Sequence, residues 1–146
     1  MRKAIVPVAM LSVLVLVASC GGQAAGGTVN VTVREWAVEP DVSSIKAGTV
    51  KFVVSNQGAE THELVVVKAD SADGLPLDAD GGFDEAAFGN VMGEVEDVAA
   101  LTEKEFSVDL AAGTYLLLCN VVDTEASGEK DAHFSHDMYT TFTVEP

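Results

Sequence analysis

The sequence predicts an all-β domain arranged as a sandwich or barrel. Three observations carry that prediction. Short segments alternate apolar and polar residues with a period of two, they are rich in Val, Thr and aromatic residues, and turn-type residues interrupt them repeatedly. "TVNVTVREW" places Val29, Val31 and Val33 on one face, and "TVKFVVSN" does the same with Val50, Phe52 and Val54. "HELVVVK" is a short aliphatic run. "EFSVDL" alternates Phe106, Val108 and Leu110. "TYLLLC" has the continuous apolar character of a strand buried on both faces. "YTTFTVE" closes the chain with alternation, and its Thr141 and Thr143 suit an exposed face or an edge. The intervening "EPD", "KAG", "NQG" and "LAAG" are turn-like. No internal repeat is present.

Residues 69–98 depart from this pattern, being acidic and rich in small residues. "FDEAAFGNVM" suits a short helix with Asp84 as N-cap, weakened by Gly89 inside it. Asp78, Asp80, Asp84 and Glu85 do not follow the alternating oxygen ligands of an EF-hand loop, so the segment reads as a solvated acidic loop.

The chain of 146 residues suggests one folded domain. Its start has a different character. "MRK" is basic, the 15-residue run "AIVPVAMLSVLVLVA" is apolar, and small residues follow. That is the composition of a secretory signal, and the run is shorter than the roughly 20 residues a spanning helix needs. "VASC" at its end resembles the lipobox of bacterial lipoproteins. The resemblance implies cleavage before Cys20 and a lipid on its sulfur. The expected organisation is a signal peptide over 1–19, a lipidated cysteine and flexible tether over 20–27, and an all-β domain over 28–146. The mature protein is then expected at the extracytoplasmic face of the bacterial cell membrane, held by its lipid anchor.

The chain carries 8 basic and 23 acidic residues, a net charge of −15. Loss of Arg2 and Lys3 with the signal makes the mature form more acidic still. Such a surface argues against nucleic acid as a partner and against a polybasic membrane contact. It is compatible with a basic protein partner drawn by long-range attraction, or simply with solubility.

The soft and borderline metal ligands of the domain are few. They are His62, His133 and His136, Cys119, and Met92 and Met138. With Cys20 lipidated, Cys119 is a lone thiol in an oxidising compartment, either buried and inert or engaged as a ligand or nucleophile. His62 opens one β segment, Cys119 ends another, and His133, His136 and Met138 directly precede the last. Strand ends of a sandwich gather at its poles, so these residues have a common meeting place. Each alone has an ordinary reading: a hydrogen-bonded histidine, a buried thiol, a core methionine. Together, two imidazoles and a thiolate in a plane with a weak axial thioether are the donors of a blue-copper site.

At these residues the chain resembles the cupredoxins, the plastocyanin-like blue copper proteins, from about Val31 to Val144. "AGTVKFVVSNQGAETHELVVV" looks like the family's strand, turn and first histidine, which points to His62. "LAAGTYLLLCN" looks like its cysteine segment, which points to Cys119. "HFSHDMYTTFTV" looks like its ending, in which a histidine stands five residues before the methionine. That spacing fits His133 and Met138. His136 competes with His133 and is otherwise a surface histidine near the copper edge. The resemblance implies a cupredoxin-like Greek-key β-sandwich or barrel and one copper ion cycling between Cu(I) and Cu(II). It implies a membrane-tethered electron carrier rather than an enzyme, a redox partner protein, and a monomer. The alternatives are a copper delivery or storage protein with an open site, and a metal-free accessory domain. Glu63 and Asn120, each next to a candidate ligand, are placed to brace the ligand loops.

The chain departs from the family between Cys119 and His133. The family usually has two to four residues there, whereas "NVVDTEASGEKDA" supplies thirteen, with Val122 in place of a proline. Closing a flexible loop of that length costs roughly 1.3 kcal/mol more, which metal binding of ten or more can exceed. Asp137 also stands where a small residue usually precedes the methionine.

Overall fold

The computed structural model describes residues 25–146. The expected signal peptide, Cys20 and most of the tether lie outside the described residues. Two β-sheets pack face to face as a sandwich, as the alternation predicts, with the Greek-key arrangement that the resemblance implies. The first sheet has the order β2-β1-β4-β7, formed by Ala37–Pro40, Gly27–Arg34, Gly48–Asn56 and Glu103–Leu110. The second has the order β3-β11-β8-β5-β6, formed by Ser44–Lys46, Tyr139–Glu145, Gly113–Leu118, His62–Val67 and Val91–Val98. The β1–β4 and β3–β11 pairs are parallel and the other ladders antiparallel. A separate hairpin pairs β9 (Val122–Thr124) with β10 (Lys130–Ala132). No described helix is long and apolar enough to cross a membrane.

The alternating faces meet between the sheets. Val29, Val31 and Val33 of β1 and Val50, Phe52 and Val54 of β4 are fully or almost fully buried there. They pack with Leu64, Val66, Tyr115, Leu117 and Phe142 of the opposite sheet in one apolar cluster. Phe52 stacks on Phe106 at 5.4 Å and meets Phe142 edge-on at 6.0 Å between ring centroids. The continuous runs of β5 and β8 have a different cause. Their second faces, Val65, Val67, Leu116 and Leu118, form another cluster with Phe83 and Phe134. Residues 69–90 fold over that outer face, so both strands are buried on both sides.

The short helix α1 spans only Glu85–Phe88. Asp84 caps it by accepting the Ala87 N–H at 2.9 Å, and Gly89 ends it in the left-handed region. The chain after Gly89 is not helical. Val91–Val98 is an edge strand paired to β5, a strand hidden in the sequence by its acidic composition. Its apolar side faces inward through Val91, Val95 and Val98, while Met92, Glu94 and Glu96 face water. Asp78 uses its carboxylate within its own turn, where Oδ1 accepts the Asp80 and Gly82 N–H groups. Thr141 and Thr143 are exposed, yet β11 lies inside its sheet between β3 and β8, so the hydroxyl face marks exposure and not an edge.

Phe52 bridges the two sheets at the centre of this cluster. Phe52→Ala is expected to lower the unfolding free energy by about 3–5 kcal/mol, measured by denaturant titration of the metal-free protein.

Candidate metal centre

One pole of the sandwich gathers His62, Cys119 and His133, which the sequence spreads over 72 positions, together with the groups that hold them. Asn56, at the end of β4, is buried and fully engaged. Its Nδ2 donates to the carbonyls of Glu60 and Val98 at 2.7 and 2.8 Å, and its Oδ1 accepts the Gly58 N–H at 2.8 Å. This fixes the loop that leads into His62. Glu35, in the two-residue turn between β1 and β2, grips the same loop from outside. Its Oε1 accepts the Ala59 and Glu60 N–H groups at 2.6 and 2.9 Å. These backbone donors hold the carboxyl down at about 2. A side chain at position 58 would collide with the Glu35 carboxylate at 2.5 Å, so only glycine allows the grip.

Cys119 follows β8 directly and is buried. Its N–H donates to the Met138 carbonyl at 3.0 Å, and its sulfur accepts the Glu63 N–H at 3.5 Å. Glu63 in turn accepts the Asn120 N–H at 3.0 Å. The His62 and Cys119 segments are therefore tied together twice. Asn120 also reaches the covering segment, donating to the Phe83 carbonyl and Glu85 and accepting the Phe83 N–H.

The thirteen-residue excursion is folded, not loose. Glu125 and Glu129 close its tip by a backbone bond of 2.9 Å, with Gly128 in the left-handed region. The β9–β10 hairpin brings the chain back to its origin, where the His133 N–H donates to the Val121 carbonyl at 2.9 Å. The entropy of a flexible loop is thus largely spent in forming a hairpin. A 3₁₀ turn over His133–His136 follows, ending at Asp137 with φ 58°. Aspartate tolerates that left-handed conformation, which explains how it serves where a small residue was expected.

These constraints bring three donor atoms face to face. His62 Nδ1 and His133 Nδ1 are 3.2 Å apart, and Cys119 Sγ lies 3.8 Å from the first and 3.4 Å from the second. All three residues are fully buried. A point equidistant from atoms at those separations (3.2, 3.8 and 3.4 Å) lies about 2.0 Å from each, close to typical metal–nitrogen and metal–sulfur lengths of roughly 2.0–2.3 Å. The chemistry also fits a cation. Burial pushes the Cys119 thiol up to about 12, so the thiolate needs a positive partner to exist there. Burial, then the neighbouring His133, lowers His62, which keeps its imidazole neutral with a lone pair to offer. His62, Cys119 and His133 could hold one metal ion.

Met138 is fully buried in the same apolar cluster as Cys119, and its N–H donates to the His133 carbonyl at 3.4 Å. His136 lies outside the triangle. It is exposed, pairs with Asp131 through Nε2, and lies tilted against Trp36 at 4.0 Å between centroids. Trp36 was not singled out by its sequence context. It occupies the β1–β2 turn at φ 64° and sets its ring edge-on to His133 at 5.4 Å.

Burial, then the nearby Glu85, raises the Glu63 carboxyl from its ordinary 4.5 to about 7. In the unfolded chain that group ionises near 4.5, so the stability tied to its neutral form is complete below pH 4.5 and lost as pH rises through about 7. Over that window the metal-free protein is expected to lose roughly 3 kcal/mol that Glu63→Gln does not lose, measured by denaturant titration of both proteins across pH 4–8.

The fold that carries this site is similar to known proteins. The family model of the cupredoxin-like domain matches residues 7–129, ending before His133 and Met138. No curated protein matches the chain. Among solved structures, reduced auracyanin from Roseiflexus castenholzii is similar at a TM-score of 0.54 and 21% identity, covering 84% of this chain and 99% of its own. Auracyanin A, a "blue" copper protein from Chloroflexus aurantiacus, gives 0.54 and 20%, covering 82% and 100%. An azurin from Methylomonas sp. strain J gives 0.53 and 17%, covering 84% and 100%. At these identities the likeness is one of fold. Since the family model spans most of its length, the chain belongs to the cupredoxin-like domain family.

Proposed function

We propose that this protein is a one-electron carrier in which His62 Nδ1, His133 Nδ1 and Cys119 Sγ would hold a single copper ion, with the buried Met138 as a further, weaker donor. The buried triangle of two imidazole nitrogens and one thiol sulfur is the observation that carries this reading. Those donors are the set that suits copper in both oxidation states, and auracyanin A, of the same fold, is a blue copper protein. Copper supplies one-electron exchange between Cu(II) and Cu(I) when bound.

The chain's own residues supply the rest. Cys119 gives up its proton on loading, and the Glu63 N–H steadies the sulfur. The Asn56 and Glu35 bonds hold the His62 loop, and the Val121 carbonyl holds the backbone of His133. Donors held this firmly move little between oxidation states, which keeps electron transfer cheap. Complete burial of all three favours a carrier over a delivery protein with an exchangeable site. No catalytic activity forms part of this reading.

The protein is further proposed to act as a lipid-anchored monomer through Cys20, at the extracytoplasmic face of the bacterial membrane. Its partner is a redox protein with a basic docking face. The support is the lipobox-like "VASC" and the excess of 23 acidic over 8 basic residues.

One equivalent of Cu(II) added to the protein is expected to produce an intense thiolate-to-copper absorption band. Cys119→Ser and His133→Ala should abolish it, and His136→Ala should keep it. A band that survives Cys119→Ser, or that only His136→Ala removes, overturns the assignment.

A further inference from the structure

The outer edge of His133 presents an unusual arrangement. Its Nδ1 faces the triangle, but its Nε2 is buried and has no hydrogen-bond partner. Two carboxylates converge on that nitrogen. Asp123 Oδ2 lies 3.4 Å away and Glu60 Oε2 lies 3.5 Å away. The three donor atoms all lie within 4.8 Å of one another. Ligands of a tetrahedral ion at roughly 2.0–2.1 Å stand about 3.3–3.4 Å apart, so both nitrogen–oxygen distances match edges of such a site.

We propose that His133 Nε2, Glu60 and Asp123 form a second cation site, outside the copper site and sharing His133 with it. One imidazole and two carboxylates with a water-accessible fourth position suit a divalent cation of the zinc class. Calcium, which takes 6–8 oxygens, does not fit three ligands of which one is nitrogen. Both carboxylates are partly exposed, at 43% for Glu60 and 47% for Asp123, so the ion enters from solvent while the imidazole stays in the protein. The strong negative charge of the chain raises the local concentration of cations. The site also gives the excursion between Cys119 and His133 a purpose, because its first strand, β9, supplies Asp123.

The proton balance follows from the ring. With the inner site free of metal, the tautomer protonated at Nδ1 offers the Nε2 lone pair, and the cation binds without proton release. If a metal occupied Nδ1, His133 would have to give its Nε2 proton to solvent before that nitrogen could hold the outer cation. Each metal therefore weakens the other's hold by the same factor.

Zinc titration of the Cys119→Ser protein, followed by calorimetry, tests the site without the thiolate. One Zn²⁺ is expected to bind, and adding Glu60→Gln with Asp123→Asn should weaken it at least tenfold. Glu103→Gln with Glu105→Gln, an equal loss of charge on the far sheet, should change it less than threefold. In the copper-loaded protein, Zn²⁺ should bind more weakly and shift the thiolate-to-copper band, and Glu60→Gln with Asp123→Asn should remove that shift. An affinity that the site pair leaves unchanged, or that both pairs lower equally, overturns the proposal. If Cys119→Ser does not fold, the same comparison of pairs in the copper-loaded protein decides it. Absence of the band before zinc is added would instead count against the copper reading, and the Cys119→Ser titration would still decide the outer site.

Discussion

Two imidazoles and a thiol, buried against one another, are the constraint on which this structure depends. Polar groups taken out of water without partners destabilise a fold, and the outer nitrogens of both histidines have none. The domain keeps them in place through groups that are themselves well satisfied. Asn56 uses both ends of its amide on the loop before His62, and Glu35 clasps that loop from the neighbouring turn. Glu63 and Asn120 lock the histidine segment to the cysteine segment. A cation at the centre of the triangle would engage the inner nitrogens of both rings and the sulfur, adding binding energy to the fold.

The surroundings of the centre are built from parts that differ from a minimal cupredoxin site. A hairpin replaces a short ligand loop and still returns His133 to within a hydrogen bond of Val121. Trp36 lies edge-on against His133 and tilted over His136, so His133 is shielded and His136 belongs to the surface. Carboxylates line the outer edges of both buried rings: Glu35 near His62, and Glu60 and Asp123 near His133. The edge of the site is acidic, consistent with the charge of the whole chain.

Much of the fold was legible in the sequence because its inter-sheet face obeys the period-two rule. Val29, Val31 and Val33, and Val50, Phe52 and Val54, are core residues for the reason the alternation gives. The run "TYLLLC" was correctly read as buried on both faces, though what covers its outer face, Phe83 and Phe134, was not visible. Strand β6 was missed because its exposed side is acidic and it contains Gly93, features shared with loops. Only its ladder to β5 identifies it. The β9–β10 hairpin was missed for a similar reason: its strands are three residues long and mostly polar, too short for a periodic signal. At the centre, the family resemblance pointed to His62, Cys119 and His133, three residues that the fold brings together. Their partners Asn56, Glu35 and Trp36 were not legible, because each acts through a contact across the fold.

The sequence by itself determined the class of fold, the small set of possible ligands and the acidic character of the surface. Those properties depend on residue type and local spacing, which the chain carries openly. Between His133 and His136, residue type left the choice open, and the tertiary structure turns His133 toward His62 and Cys119. It alone decided that the thirteen-residue excursion is a hairpin, and that two carboxylates close on the buried edge of His133. Donor geometry at distances near 3 Å arises where separate strand ends converge, and no local pattern encodes where a neighbouring loop will place its oxygen.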